Sequence, residues 1–311
     1  MIKRVIKFFL IPSFLWGDAH IFLYHRFNDS KHSYTNTSTK VLIRQFEYLK
    51  KHNYKVVNSK TLLRKAKNGE NVDKLVALHI DDSFKSFYKN GFPIFKKYHY
   101  PFTLFVYVEG TDKNWKDFMN WKEVREVSQY GEIQVHSYAH PHLPKLSNLE
   151  IISDTEIANQ ILRGKAYKID SYAYPYGEYS ERVKKILSPI FKYIYNQNEG
   201  GIDKDVDFKD VPRIALTGDV KIASKLKIKN LKLKKFEVIV KNGKIEKILA
   251  IFNKSIKYID IYITNKGWER IQVKDNYLEY YPNFKLTKFR NRVILKYQNE
   301  IKVKMICYNN R

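Results

Sequence analysis

Two adjacent carboxylates follow an apolar run in the stretch LVALHIDDSF, residues 75–84. Asp81 and Asp82 fall where a predicted strand ends. Two close carboxylates repel each other unless a cation or a proton lies between them. One aspartate could therefore bind a divalent metal while the other acts as a base toward a metal-activated water. A turn or a helix N-cap is the simpler interpretation of this dipeptide taken alone.

Two histidines stand four residues apart in the stretch EIQVHSYAHPHL, residues 132–143. His136 and His140 again follow a predicted strand, and Pro141 indicates a turn or loop rather than a continuing helix. Two histidines and one carboxylate form a recurrent site for zinc and similar divalent ions, with positions left open for water and substrate. A surface histidine cluster that includes His142 is the alternative.

Two further stretches end predicted strands. In SYAYPYGEYSE, residues 171–181, the tyrosine rings suit the apolar faces of sugars, and the backbone N–H of Tyr176 could stabilise an oxyanion. In IFLYHRF, residues 21–27, the first predicted strand ends at His25. A proline turn with core aromatics and an ordinary buried or surface histidine are the simpler interpretations. In a barrel of parallel strands, however, all four stretches would converge on one rim.

The predicted elements that would position these residues alternate between strand and helix from residue 20 to about residue 216. Parallel strands need helical crossovers, so this order predicts an α/β fold, a (β/α) barrel that is incomplete and seven-stranded. After about residue 222 the chain is β-rich, with turns at Asn242-Gly243 and around Asn265-Lys266-Gly267. We therefore predict a barrel over 20–221 and a β-rich accessory domain over 222–311.

Composition narrows the range of partners. The formal charge of +25, from 57 Lys and Arg against 32 Asp and Glu, favours anionic partners, although a lysine-rich solvated surface is the simpler explanation. The lysines are scattered and no nucleic-acid motif is present, so we expect no nucleic-acid partner. The single cysteine, Cys307, excludes an internal disulfide and a cysteine-based metal cluster.

The first 19 residues form a separate segment, basic at its start and apolar from residue 8 to residue 16. The apolar run is too short to span a bilayer as a helix, which takes roughly 20 residues. A cleaved signal, a membrane-surface segment and a plain first helix remain open for residues 1–19, so a peripheral membrane contact is one of the expectations.

Taken together, these stretches resemble three motifs of the polysaccharide deacetylases of carbohydrate esterase family 4. The family's Thr-Phe-Asp-Asp-Gly motif corresponds to residues 79–83, its His-Ser/Thr-any-any-His motif to residues 136–140, and its Arg-any-Pro-Tyr motif to residues 173–176. The resemblance covers roughly residues 20 to 217. It implies that Asp81 is the general base, that Asp82, His136 and His140 bind a divalent metal, expected to be zinc, and that the Tyr176 amide completes the oxyanion site.

The remaining family motif, Leu-any-His, occurs here at the N-terminal side, as residues 23–25. This order resembles the circularly permuted branch that deacetylates poly-β-1,6-N-acetylglucosamine, and it implies that His25 is the general acid. The sequence departs from the family at Ser83, where the motif has glycine, and at Ala173, where it has arginine. Arg213, near another predicted strand end, could replace that arginine.

The predicted function is therefore metal-dependent removal of N-acetyl groups from an amino-sugar polysaccharide or oligosaccharide, at the cell envelope, with a cytoplasmic location left open. One alternative is a deacylase of a lipid-linked or nucleotide-linked sugar. Another is a glycan-binding module without catalysis, because the accessory domain carries the aromatic residues Trp268, Tyr277, Tyr280 and Tyr281. Packing or partner contact is the simpler role of that domain.

Overall fold

The computed structural model describes residues 17–308 of the chain. Its first part is built around one sheet of parallel strands in the order β10-β1-β5-β6-β7-β8-β9, with β4 paired to the start of β5. A separate short pair, β2 and β3, follows β1. These strands are β1 His20–Tyr24, β2 Arg26–Phe27, β3 Asn36–Thr37, β4 Lys55–Val56, β5 Leu75–Asp81, β6 Thr103–Val106, β7 Glu132–Val135, β8 Ser171–Ala173, β9 Tyr193–Tyr195 and β10 Ile214–Ala215.

The seven strands of this path curve toward a barrel. A parallel bridge between Tyr195 of β9 and Val211, just before β10, links the two ends of the path. The sheet is thus the expected incomplete (β/α) barrel of seven parallel strands, and the α/β fold predicted from the sequence is confirmed.

Helices cover the outer face of this sheet. They are α1 Thr39–Lys51, α2 Ser59–Lys67, α3 Phe92–Tyr98, α4 Val108–Asp112, α5 Trp121–Val127, α6 Asn148–Gly164, α7 Glu181–Leu187 and α8 Ile222–Lys225. Side-chain caps fix several starts: Ser38 caps α1, and capping boxes at Asn120 and Ser147 begin α5 and α6. Within residues 17–308, every helix is too short or too polar to cross a membrane.

Side chains alternate in direction along each strand, and this alternation divides the apolar core into one layer outside the sheet and one inside the barrel. In β5, Val76, Leu78 and Ile80 point outward and pack with the helices, whereas Leu75 and Ala77 point into the barrel. Successive side chains of a strand face opposite sides, so Asp81 lies on the inward face with Ala77. Asp81, the last residue of β5, therefore points into the mouth of the barrel.

Two sheets form the C-terminal part, antiparallel except for the parallel pair of β11 and β19, and their apolar faces share a core of their own. The Asn242-Gly243 turn joins β12 to β13, as its sequence predicts. The strands are β11 Lys229–Asn230, β12 Leu233–Lys241, β13 Lys244–Phe252, β14 Tyr258–Ile263, β15 Gly267–Gln272, β16 Tyr277–Tyr280, β17 Phe284–Lys285, β18 Arg290–Tyr297 and β19 Glu300–Cys307.

The C-terminal sheets pack directly on the barrel. A ring nitrogen of His20 lies 2.7 Å from the carbonyl oxygen of Ile228, and the backbone N–H of Asn230 donates to the Asp18 carboxylate over 2.6 Å. Met305 of β19 and Ile222 of α8 belong to the core between the barrel sheet and its helices. Residues 1–16, which carry most of the predicted signal-like or membrane-surface segment, lie outside the described residues.

Candidate metal and catalytic site

Asp81 is paired inside the barrel mouth with a cation distant in sequence. The Nη1 and Nη2 atoms of Arg213 each donate to one Asp81 oxygen over 2.8 Å, and both side chains are fully buried. Arg213 Nε donates to the carbonyl of Asn196, also over 2.8 Å, which fixes the plane of the guanidinium. Arg213 thus contacts Asp81, the carboxylate for which the family resemblance implies the role of base.

The charge of Asp81 is maintained by this pairing. Burial alone would raise the pKa of Asp81, but the Arg213 charge and hydrogen bonds, with His136 nearby, bring the pKa below its ordinary value. Asp81 is therefore a carboxylate at neutral pH. Its Oδ2 lies 3.8 Å from His136 Nε2, so the carboxylate faces the neighbouring histidine.

The side chain of Asp82 meets two imidazoles. Its Oδ1 lies 3.3 Å from Nε2 of His136 and 3.1 Å from Nε2 of His140, and the two Nε2 atoms are 3.3 Å apart. Asp82 follows β5, and both histidines follow β7, which β6 separates from β5 in the sheet. The structure therefore brings together the three residues for which the family resemblance implies metal binding.

This donor set fits a divalent cation. Asp82 Oδ1 is buried and has no hydrogen bond of good geometry, although two ring nitrogens face it, and the three ligand atoms lie within 4.8 Å of one another. Burial opposes ionisation of Asp82, but His136 and His140 hold its pKa well below the ordinary range, so the carboxylate is charged. One charged oxygen and two imidazole nitrogens, with room left for water and substrate, are a common zinc ligand set.

His136 is oriented by a backbone carbonyl. Its Nδ1 lies 2.8 Å from the carbonyl oxygen of Ala173, and the ring is almost fully buried. Nδ1 must carry the proton to donate to this carbonyl, so Nε2, which faces Asp82 and His140, is the nitrogen that the neutral ring offers to a metal. The residue that departs from the family motif thus takes part in the site through its main chain.

The loop that carries His140 is held by α6. The backbone N–H groups of Tyr138 and Ala139 donate to the two oxygens of Asp154 over 3.1 and 2.7 Å, and Ser137 Oγ accepts from the His140 backbone N–H over 2.7 Å. Sequence reasoning missed Asp154. The signal was present, because Asp154 is an acid on the buried face that α6 forms with Ile151 and other apolar residues.

The turn after β5 keeps its shape without the motif glycine. Asp82 and Ser83 have φ angles of 73° and 56°, in the left-handed region that favours glycine. The hydroxyl oxygen of Ser83 lies 3.0 Å from that of Thr111, inside the protein. Ser83 therefore adopts the glycine-like conformation, and a buried polar contact accompanies it.

His25 and Tyr176 complete the rim. His25 follows β1 and is buried, and burial lowers its pKa although Asp82 and Asp81 act in the opposite direction. The Tyr176 ring centroid lies 4.4 Å from that of His140, and the same ring stacks on His142 at 4.4 Å. Tyr176 has a φ of 58° and 39% of its surface is exposed, so it stands at the entrance.

Part of the chain matches a known protein family. Residues 68–190 match the family model described as polysaccharide deacetylase. The poly-β-1,6-N-acetyl-D-glucosamine N-deacetylase of Staphylococcus epidermidis is 25% identical over 190 residues, which are 56% of this chain and 66% of that protein. The same figures hold for the protein of this name from Staphylococcus aureus.

Solved structures share the fold. The deacetylase PplD of Streptococcus pyogenes, in complex with acetate, aligns with a TM-score of 0.60 at 22% identity over 64% of this chain and 92% of that chain. IcaB from Ammonifex degensii aligns with a TM-score of 0.58 at 24% identity over 66% of this chain and 94% of that chain. Residues 68–190 thus match a polysaccharide deacetylase domain, and the chain is similar to poly-β-1,6-N-acetyl-D-glucosamine N-deacetylases and shares the barrel fold of the solved structures.

Proposed function

We propose that this protein is a metal-dependent hydrolase that removes N-acetyl groups from an amino-sugar polysaccharide. The observation that carries the proposal is the grouping of Asp82, His136 and His140 next to a second carboxylate, Asp81, that Arg213 keeps ionised. A non-catalytic glycan-binding module would not need a buried base with its own counterion, so this arrangement supports catalysis.

The proposed base is Asp81. A divalent cation held by Asp82, His136 and His140 would supply Lewis-acid chemistry, which polarises a carbonyl and makes a water molecule easier to deprotonate. Asp81 accepts the proton of the attacking water, and Arg213 keeps the carboxylate ionised and fixed in plane. The C–N bond of the acetamide then breaks, giving acetate and a free sugar amine.

His25 and Tyr176 complete the proposed catalytic set. His25 gives a proton to the departing amine nitrogen, and the backbone N–H of Tyr176 donates to the oxyanion that develops on the carbonyl oxygen. Because burial lowers the pKa of His25, its protonated form is a stronger acid than free imidazolium but is less populated at neutral pH. We therefore expect the highest activity on the acidic side of neutrality.

Two observations support the proposed substrate: the names of the relatives and the aromatic ring at the entrance of the site. The relatives from staphylococci are named for poly-β-1,6-N-acetyl-D-glucosamine, and the exposed ring of Tyr176 offers a stacking face for a sugar. We propose an N-acetylglucosamine polymer as substrate, zinc as the ion and the cell envelope as the place of action. The 20–221 and 222–311 division is proposed as catalytic and accessory parts.

Acetate release from a β-1,6-linked N-acetylglucosamine tetramer, combined with metal analysis of the purified protein, tests the proposal. We expect one divalent ion per chain and acetate release that a chelator abolishes. Asp82→Ala should lose both the metal and the activity, whereas Asp81→Asn should retain the metal and lose turnover. Asp275→Asn, at an exposed turn, is the matched control and should change neither.

Two results would overturn this function. Full turnover by Asp81→Asn in the metal-loaded state would remove Asp81 as the base. A metal-loaded protein that releases acetate from a lipid-linked or nucleotide-linked N-acetyl sugar but not from the tetramer would replace the polysaccharide by the smaller substrate.

A further inference from the structure

A groove continues from the proposed catalytic site onto the C-terminal sheets. A cavity of 550 Å³ is lined on one side by barrel residues, among them His142 and Tyr176, and on the other by residues next to and within β18, among them Phe289 and Arg292. Arg290 Nη1 donates to the carbonyl of Tyr176 over 2.9 Å, which joins the two walls. We call this cavity the rim groove.

The rim groove is continuous with the site. Tyr176 lines it and also contacts His140, the proposed metal ligand. His142 stacks on Tyr176 and meets Phe289 edge-on at 5.7 Å between ring centroids. A glycan whose acetamide reaches the site therefore has aromatic faces beside it on the way into the groove, which suits the apolar faces of sugar rings.

Four cations give the rim groove its charge. They are Lys145, Lys288, Arg290 and Arg292, and Glu178 is the one acid among the described lining residues. Glu178 is already engaged, because its Oε2 lies 2.6 Å from His142 Nδ1. Positive charges that line a concave surface reinforce one another and attract anions.

No acidic side chain neutralises these cations. Within residues 17–308, none of the four forms an ion pair, although pairs such as Arg270 with Asp260 do occur on the C-terminal sheets. Arg292 Nε is buried without a hydrogen-bond partner, and burial together with the charge of Arg290 lowers the pKa of Arg292. The positive charge beside the proposed site is therefore not compensated by ion pairs.

Arg292 also connects the rim groove to a second cavity. It and Ile294 line a neighbouring cavity of 520 Å³, whose far wall includes Trp268 with 52% of its surface exposed. Of the four aromatic residues that sequence analysis proposed for sugar contact in the accessory domain, only Trp268 lines either of these two cavities. The path from Tyr176 past Arg292 to Trp268 thus joins cavities of 550 and 520 Å³.

We propose that the C-terminal sheets complete the glycan-binding groove and select the charge of the sugars next to the reacting acetamide. The rim groove favours a chain that carries an anionic substituent, such as a carboxylate, sulfate or phosphate ester, and disfavours one whose neighbouring amines are already free and protonated. A membrane surface is the less suitable occupant, because these cations line a recess with aromatic walls. This inference rests on the proposed deacetylase function.

Binding of two matched glycans tests the inference without turnover. The full chain is dialysed against EDTA and titrated in a calorimeter, at low salt, with a β-1,6-linked N-acetylglucosamine tetramer and with the same tetramer carrying one O-sulfate. We expect tighter binding of the sulfated tetramer and a smaller difference at high salt, because salt screens exposed charges. We expect Lys288→Gln to lower this preference by about twofold to fivefold, the range of an exposed ion pair.

Lys274→Gln is the matched control, since Lys274 is an exposed lysine on the C-terminal sheets that does not line the groove. It should leave the preference unchanged. Equal affinity for the two tetramers, no measurable binding of the sulfated tetramer at millimolar concentration, or an equal effect of the two lysine substitutions would overturn the inference. So would binding to phosphatidylglycerol vesicles that Lys288→Gln abolishes while the tetramer preference persists.

Acetate release separates this inference from the function on which it rests. If the metal-loaded protein releases acetate from the neutral tetramer but binds both tetramers alike, the groove inference fails and the deacetylase proposal stands. If the sulfated tetramer is preferred but neither tetramer is hydrolysed, the groove inference stands as binding and the deacetylase proposal fails.

Discussion

Replacement of Arg213 by methionine should destabilise the protein and disable the proposed base at the same time. The substitution keeps much of the apolar volume but removes two hydrogen bonds of 2.8 Å to the fully buried Asp81 and one to Asn196. Removing one partner of a buried ion pair leaves an uncompensated charge, so we expect a loss of about 3–5 kcal/mol in the free energy of unfolding.

Urea denaturation followed by circular dichroism measures this loss. Arg270→Met is the matched control, because Arg270 pairs with Asp260 on the surface, where solvent screens the charges, and the loss there should be much smaller. In the double variant with Asp81→Asn, the buried charge is gone and much of the stability should return, although activity should not.

The same substitution has a kinetic consequence. Without Arg213, burial of Asp81 is less opposed and its pKa rises, so the acidic limb of kcat/KM should move to higher pH. An Arg213→Met variant that loses less than about 1 kcal/mol, or a double variant as unstable as the single one, would refute the argued role of this pair.

Three further predictions follow from other residues. Burial lowers the pKa of His25 below 6.5, so kcat/KM should fall as pH rises toward neutrality. His25→Gln should lose activity and should no longer show this fall with pH. A wild-type profile that stays flat through neutrality would contradict protonated His25 as the general acid. Asp154→Ala should weaken metal binding by about 10–100-fold in a competition titration, because the loop before His140 loses its anchor, and an unchanged affinity would exclude this role. Burial, with Asp203 nearby, raises the pKa of Asp18 from 3.8 to about 6, although the hydrogen bond from the Asn230 N–H acts in the opposite direction. The folded state therefore holds a proton on Asp18 that the unfolded state has already lost, and stability should fall as pH rises from about 4 through about 6. Asp18→Asn should flatten this slope and raise the thermal midpoint at neutral pH; a slope equal to that of the wild type would contradict it.

Local pattern predicted much of the chain. Apolar spacing and end signals predict a helix over 148–164 and a strand over 75–80, and the structure has them as α6 and as β5 with one more residue. Both elements are long for their type, and the Ser147 capping box marks the start of α6. The apolar run over 102–108 predicts a strand, but β6 ends at Val106 because α4 begins at Val108, and no pattern predicts the short helix α8. Short elements contain too few residues for a period to be recognised.

Local pattern was sufficient to find the residues at the strand ends: Asp81 ends β5, Asp82 and His136 directly follow β5 and β7, and His140 lies five positions after β7. What each of these side chains contacts depends on the tertiary structure. Arg213 reaches Asp81 across 132 positions, the Ala173 carbonyl sets the His136 ring, and Asp154 holds a loop on another element. Those contacts depend on strand order and barrel curvature, which arise from packing between distant segments and leave no periodic trace along the chain.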